Sequence, residues 1–320
     1  MDDEVRALQE RFGAFAAEAV ARLPLYRRLC EGAADDAEVA ARLLVARPDQ
    51  RIPNLLLAAV HDVLLAGRPD PLAAWYASIT DPPRPVGHGG DDPWPAFRRL
   101  ALEDPEVERL LRTGATQTNE VGRSAALLPA LAHLAATAPG APPGGVRPLG
   151  LVEVGASAGL NLDLDRYGYR YAGGPTISAD APLVLDCELR PRAHPVDPFA
   201  GLAVAVPPIA DRVGLDREPV RLGDPERARW LVACQWPEKP DRLHRTRTAI
   251  ALAHGDPPPL VAGDAVDDLA PLVAGTARHA LPVVVATWVL AYLGEDRQRA
   301  FLAVLDQVAH ERDLALVFAE

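Results

Sequence analysis

The chain has 320 residues, 49% hydrophobic and 24% charged, enough for one large or two ordinary cored domains and unlike a disordered, collagen-like or disulfide-built chain. A formal charge of −11, from 33 basic and 44 acidic side chains, repels a phosphate backbone, so no nucleic-acid partner is expected. Cys30, Cys187 and Cys234 stand far apart without Cys-x-x-Cys or His pairing, which argues against a metal site and a disulfide framework, and the acidic start and lack of an apolar run of about eighteen residues predict a cytoplasmic protein with no membrane partner.

From Val5 to about Ala138 apolar residues recur at three- and four-residue steps, as in Leu8, Phe12, Phe15 and Ala19, which predicts a helical region over 1–145. Residues 1–148 hold twelve Val plus Ile against twenty-two in 149–320, so the sheet belongs to the second half. A proline-rich loop, Asp81 to Pro95, interrupts the helical half. Thr118 and Asn119 are good N-caps for a helix whose apolar face carries Val121, Ala125, Leu128 and Ala132, with Glu120 and Arg123 together on another face. The turn-rich stretch Pro139 to Gly145 reads as the connector to a second domain, 146–320.

Strands are expected at Leu149 to Val154, Leu183 to Leu189, Leu260 to Val261, Pro282 to Ala286 and Leu314 to Phe318, with a helix from Glu295 to about Glu311. Strands alternating with helices imply an α/β fold with a mostly parallel, Rossmann-like sheet. The basic stretch Arg242 to Arg247 follows Glu238 and Asp241 and reads as a solvated helix face.

Gly155-Ala-Ser157-Ala-Gly159 admits two readings. As Gly-x-Ser-x-Gly it matches the nucleophile elbow of serine hydrolases, with His88-Gly89-Gly90 as an oxyanion loop and Asp264 and His279 as triad partners. An elbow follows a late strand, however, and the residues before this one predict none. As the turn after the first strand of a sheet, Glu153-x-Gly155-x-Ser157-x-Gly159 lets backbone approach a cofactor closely and offers free N–H groups to a carboxylate.

Gln117-Thr-Asn-Glu-Val-Gly-Arg-Ser-Ala-Ala-Leu-Leu128, Glu153-Val-Gly-Ala-Ser-Ala-Gly-Leu-Asn161, Asp165-Arg-Tyr167, Gly214-Leu-Asp216, Trp236-Pro-Glu238 and Gly263-Asp264 together resemble the bacterial family called domain of unknown function 2332. The resemblance implies a class I methyltransferase-like fold; the glycine loop makes S-adenosylmethionine (SAM) the expected cofactor, and no metal is expected. The cofactor residues are then Glu153, Gly155, Ser157, Gly159, Asn161, Asp216 and Asp264. Ser157 stands where such loops usually carry glycine, and Glu188 competes with Asp216 as the acid for the ribose hydroxyls.

Catalysis is expected from Glu120, Arg123, Asp165 and Tyr292, and substrate binding from Asn119, Arg166 and Trp236: a guanidinium and a carboxylate suit a small polar, amino-acid-like substrate, and tryptophan suits an apolar or cationic one. Methyl transfer is the leading reading. A SAM-independent cyclisation or elimination in secondary metabolism, a non-catalytic binding subunit and a Ser157 hydrolase stand beside it. The sequence stops one hairpin short of the usual methyltransferase sheet, so an open edge, or a homo- or hetero-oligomeric partner that covers it, is expected.

Overall fold

A computed structural model describes residues 2–87, 91–188 and 205–319. The chain divides into two compact units, Met1–Thr118 with Pro225–His244, and Asn119–Asp224 with Arg245–Glu320. The glycine-rich loop His88-Gly89-Gly90 and Leu189, the end of an expected strand, lie outside the described residues.

The first unit is helical: α1 (Asp2–Ala17), α2 (Pro24–Asp35), α3 (Ala37–Ala41), α4 (Pro53–Leu65), α5 (Trp94–Glu103) and α6 (Pro105–Thr113). Proline opens α2, α4 and α6 in the first turn, where a missing N–H costs no helical bond. Asp36 and Asp104 cap α3 and α6 by accepting from backbone N–H groups. Leu8, Phe12 and Ala16, one turn apart, bury one face of α1, whereas α4 is buried from Leu55 to Leu64 and takes His61 and Asp62 into the core.

The second unit begins with a turn. Helix α7 (Arg123–Thr137) starts at Arg123, with Gly122 rather than Thr118 or Asn119 in the N-cap position. Asn119 fails to cap it because its amide is used elsewhere: Nδ2 donates to the Ala156 carbonyl at 3.3 Å and Oδ1 accepts from Leu160 N at 2.9 Å. The chain then enters β1 (Leu149–Val154), in which every residue is buried, as a strand covered on both faces requires. Beyond the glycine loop and a 3-10 stretch, Leu160–Arg166, a small sheet forms in the order β3-β2-β4, from β2 (Gly168–Tyr171), β3 (Thr176–Ile177) and β4 (Val184–Cys187). The strand expected at 183–189 is therefore β4, outside the main sheet. The tyrosines at every second position, 167, 169 and 171, are buried together, and the hydroxyls of Tyr167 and Tyr171 donate to the carbonyls of Leu160 at 2.6 Å and Ala125 at 2.7 Å.

After β5 (Ile209–Asp216) the chain supplies the first unit with α8 (Pro225–Ala233) and the start of α9 (Pro240–His254). There Arg229 Nε donates to both oxygens of Asp62 at 3.0 and 3.1 Å, and Trp230 Nε1 to the Ala115 carbonyl at 2.8 Å. Glu238 accepts from Leu25 N at 2.8 Å and Tyr26 N at 3.0 Å. It thus caps α2 from far along the chain, since Leu23 at the N-cap has no side-chain acceptor.

The remaining elements are β6 (Leu260–Ala262), α10 (Leu269–Gly275), β7 (Leu281–Thr287), α11 (Glu295–Ala309) and β8 (Ala315–Ala319). The main sheet runs β6-β5-β1-β7-β8 with every neighbour parallel. Counting only these five strands in chain order gives 3-2-1-4-5, a Rossmann-like arrangement whose direction of winding reverses between β1 and β7. Ligands of such sheets bind beyond the carboxyl ends of the strands at that reversal. Phe318 on the edge strand β8 is exposed.

Candidate functional site

The loop after β1 turns sharply. Gly155 and Gly159 have φ of +70° and +72°, and a Cβ on Gly155 would lie 2.8 Å from Val289, so a side chain there meets both strain and collision. Ser157 adopts φ +53°, uncommon for a residue with a Cβ. Asp216, at the end of β5, holds this conformation: one oxygen accepts from Ser157 N at 2.7 Å and the other from Glu218 N at 2.9 Å. Asp216 is thus beside the loop, whereas Glu188, its rival for the ribose, follows β4 of the small sheet. The motif pointed to the first and the apolar run to the second.

Glu153, the next-to-last residue of β1, is only 2% exposed. Its Oε1 accepts from Asn161 Nδ2 at 3.2 Å, and Asn161 Oδ1 accepts from Ser124 Oγ at 3.0 Å. Its Oε2 is buried and has no hydrogen-bond partner among the described residues, and neither has the buried Ser157 Oγ. Burial pushes the Glu153 carboxyl up to about 8. The Asn161 hydrogen bond and the Arg123 charge oppose the rise, and Asp216 adds to it. At neutral pH Glu153 is therefore mainly a neutral acid, able to donate as well as accept.

Arg123, the first residue of α7, donates through Nη1 to the carbonyl and hydroxyl of Thr287 at 3.0 and 3.1 Å, at the carboxyl end of β7. Glu120 accepts from Gly122 N at 2.9 Å, and Arg245 Nη2 lies 3.5 Å from its Oε1. Arg245, read from sequence as part of a solvated face, has a buried Nε with no hydrogen-bond partner among the described residues. Asn119, Glu120, Arg123, Glu153, Ser157, Asn161 and Asp216 are therefore brought around the head of β1. Ser124, Thr287 and Arg245 join them and were missed, because no local pattern shows which residues of distant elements will meet.

Other expected residues are engaged elsewhere. Asp165 makes a two-pronged ion pair with Arg212 of β5 at 2.8 and 2.6 Å. Arg166 donates to the Leu252 carbonyl at 2.8 Å and lies 3.5 Å from Asp163. Trp236 packs edge-on against Phe15 in the helical unit. Asp264 caps the turn after β6: burial pushes its carboxyl up, but the N–H groups of Val266 and Asp267 and the Arg297 guanidinium outweigh this and hold it below the usual range. Tyr292, in the 3-10 turn after β7, is 85% exposed. A shallow, mostly apolar cleft beside the loop is lined by Ala158, Val220, Leu222 and Leu260, with Arg221 at its wall. Among the described residues no group of three or more His, Cys, Asp or Glu could hold a metal ion.

The second unit is thus a Rossmann-like α/β unit with an acidic glycine loop at the carboxyl end of its first strand. The chain belongs to the family described as "uncharacterized protein conserved in bacteria" (DUF2332), whose sequence profile matches residues 9–320. No curated protein and no solved structure matches it. Among the described residues no helix is long and apolar enough to cross a membrane.

Proposed function

We propose that the second unit is a class I methyltransferase-like enzyme domain that takes SAM on the Gly155–Gly159 loop and acts on a small polar metabolite. One observation carries this reading: Glu153 Oε2 and Ser157 Oγ, two buried polar atoms at the head of β1, have no hydrogen-bond partner among the described residues. Buried polar groups are almost always hydrogen-bonded, so atoms left over beside a glycine turn suit a polar ligand. The donor set fits. The positive-φ glycines let backbone approach the ligand, and each Asp216 oxygen, having accepted one N–H, keeps acceptor capacity for ribose hydroxyls. Bound SAM would supply an activated methyl group. Arg123 and Arg245 are the cations for an acidic substrate group, and Glu120 is the carboxylate for an amine.

Asp216→Asn is expected to weaken SAM binding about tenfold or more by equilibrium dialysis, because the amide keeps the shape but loses charge and one acceptor. Unchanged affinity would remove Asp216 from the site.

A second reading draws on Ser157, whose positive φ in a strand-to-helix turn is what a nucleophile elbow needs. Its Oγ has no histidine or other hydrogen-bond partner among the described residues. A fluorophosphonate probe is accordingly expected to leave Ser157 unlabelled, and stoichiometric labelling detected by mass spectrometry would restore the hydrolase reading.

A further inference from the structure

The polar atoms around Glu153 do not balance a buried negative charge. Its carboxyl is 2% exposed and receives one hydrogen bond, from the neutral Asn161, on one oxygen. The charged and titratable groups facing it are Arg123 at the start of α7, Asp216 at the end of β5 and Tyr167 after the 3-10 stretch. Tyr167 is neutral, its hydroxyl donating to the Leu160 carbonyl. Arg123 directs Nη1 to Thr287, and Asp216 brings a second negative charge. A carboxylate buried in such surroundings is unfavourable and takes up a proton instead. Yet an acid kept neutral for packing alone would hydrogen-bond through both oxygens, and here Oε2 has no partner among the described residues, like the Ser157 Oγ of the adjoining turn.

We propose that Glu153 is a proton-linked counter-ion: neutral in the ligand-free protein, it gives its proton to solvent when the ammonium or sulfonium group of a cationic ligand docks on Oε2. The balance is one acid plus one cation giving one carboxylate–cation pair and one proton in solution, with no oxidant or co-reactant. The proposal rests on the reading of this loop as a ligand site and assigns its ligand a positive charge next to the acid. Binding at neutral pH then releases a proton fraction that grows with the fall in the Glu153 midpoint, up to one proton, and tightens as pH rises toward that midpoint. A ligand without a cationic centre gains nothing from that rise.

Infrared spectroscopy of the full chain tests this, reading the protonated-carboxyl band from about pH 6 to about pH 10. The wild type is expected to show a band lost with a midpoint near 8 and absent from Glu153→Gln. Saturating SAM, or high methylammonium chloride as a bare cation, moves that midpoint down by about one unit or more, a tenfold change in proton affinity. Proton release on SAM binding, measured by calorimetry in two buffers of different ionisation enthalpy, gives the same answer without relying on the variant. A Glu153 already ionised at about pH 6, or a midpoint that neither cation moves, overturns the proposal. A midpoint moved by methylammonium but not by SAM upholds the counter-ion and removes the SAM reading. SAM binding with no proton released does the reverse.

Discussion

Replacing Arg229 by alanine lowers the stability of the helical unit by about 3–5 kcal/mol, the range for stripping the partner from a buried charge. Asp62 is 1% exposed on α4, and both of its oxygens accept from Arg229 Nε. Burial already pushes the Asp62 carboxyl up, and Arg229, through its charge and hydrogen bonds, is the main opposing influence. Without Arg229 the carboxyl rises further and the native state must bury either an unpaired charge or a proton taken up at a cost. The loss therefore shrinks as pH falls and Asp62 becomes neutral in the folded and unfolded chain alike. Urea unfolding followed by tryptophan fluorescence reads this unit, because four of the five tryptophans, Trp75, Trp94, Trp230 and Trp236, lie in it. A double change of Arg229 and Asp62 to leucine recovers most of the loss, since apolar replacement of a buried pair is often neutral or stabilising. A loss for Arg229→Ala below about 1 kcal/mol would mean that the pair behaves as a solvated one.

The second large effect is a pH dependence set by Glu153. Its carboxyl is raised from an ordinary 4.5 to about 8 in the folded protein. Between those values the native state holds a proton that the unfolded chain has lost, so this group's contribution is fully present below about 4.5. It declines by about 1.4 kcal/mol per pH unit across the window and levels off above the folded midpoint. Glu153→Gln, which copies the neutral acid, lacks this decline. Hydrogen exchange of the β1 amides, compared between wild type and variant, is expected to show equal protection near the acid end of the window and greater protection of the variant near its alkaline end. Parallel profiles would place Glu153 in contact with water or a counter-ion.

Both effects involve chain segments whose partners are remote in sequence, and this also set what the sequence could show. Four strands of the main sheet, β1, β6, β7 and β8, were legible as short apolar runs, and of these β1 and β7 are buried along their whole length. The fifth, β5, was not: Ile-Ala-Asp-Arg-Val-Gly-Leu-Asp carries Asp211 and Arg212 in its middle. Those charges are tolerated because Arg212 pairs with Asp163 and Asp165, and Asp211 accepts from Ala277 N at 3.0 Å, contacts that no local pattern encodes. The same holds for Pro225–His244. Its helical character is local, but its membership of the helical core is decided by Asp62, Phe15 and the amino end of α2. The Trp-Pro-Glu stretch, whose Trp236 was expected to bind substrate, is built into that core through Trp236 on Phe15 and Glu238 on α2.

The site was legible to the extent that it is made of backbone. Gly155, Ser157, Gly159 and Glu153 follow from the geometry of one strand-to-loop turn, and Asp216 from a short motif at the end of a neighbouring strand. Arg245, Ser124 and Thr287 come from α9, α7 and β7 and meet the loop only through the strand order. Asp165 and Arg166 show the converse: charged residues beside a glycine loop that brace it against β5 and the end of α9.

Isothermal titration calorimetry of the folded full-length chain with SAM and, separately, with its demethylated product S-adenosylhomocysteine tests the central claim most directly. Saturable one-to-one binding of both, with a Kd of about 1 mM or tighter and weakened by Asp216→Asn, is the predicted result. No heat of binding for either ligand at millimolar concentration, in protein shown to be folded by circular dichroism, would contradict it.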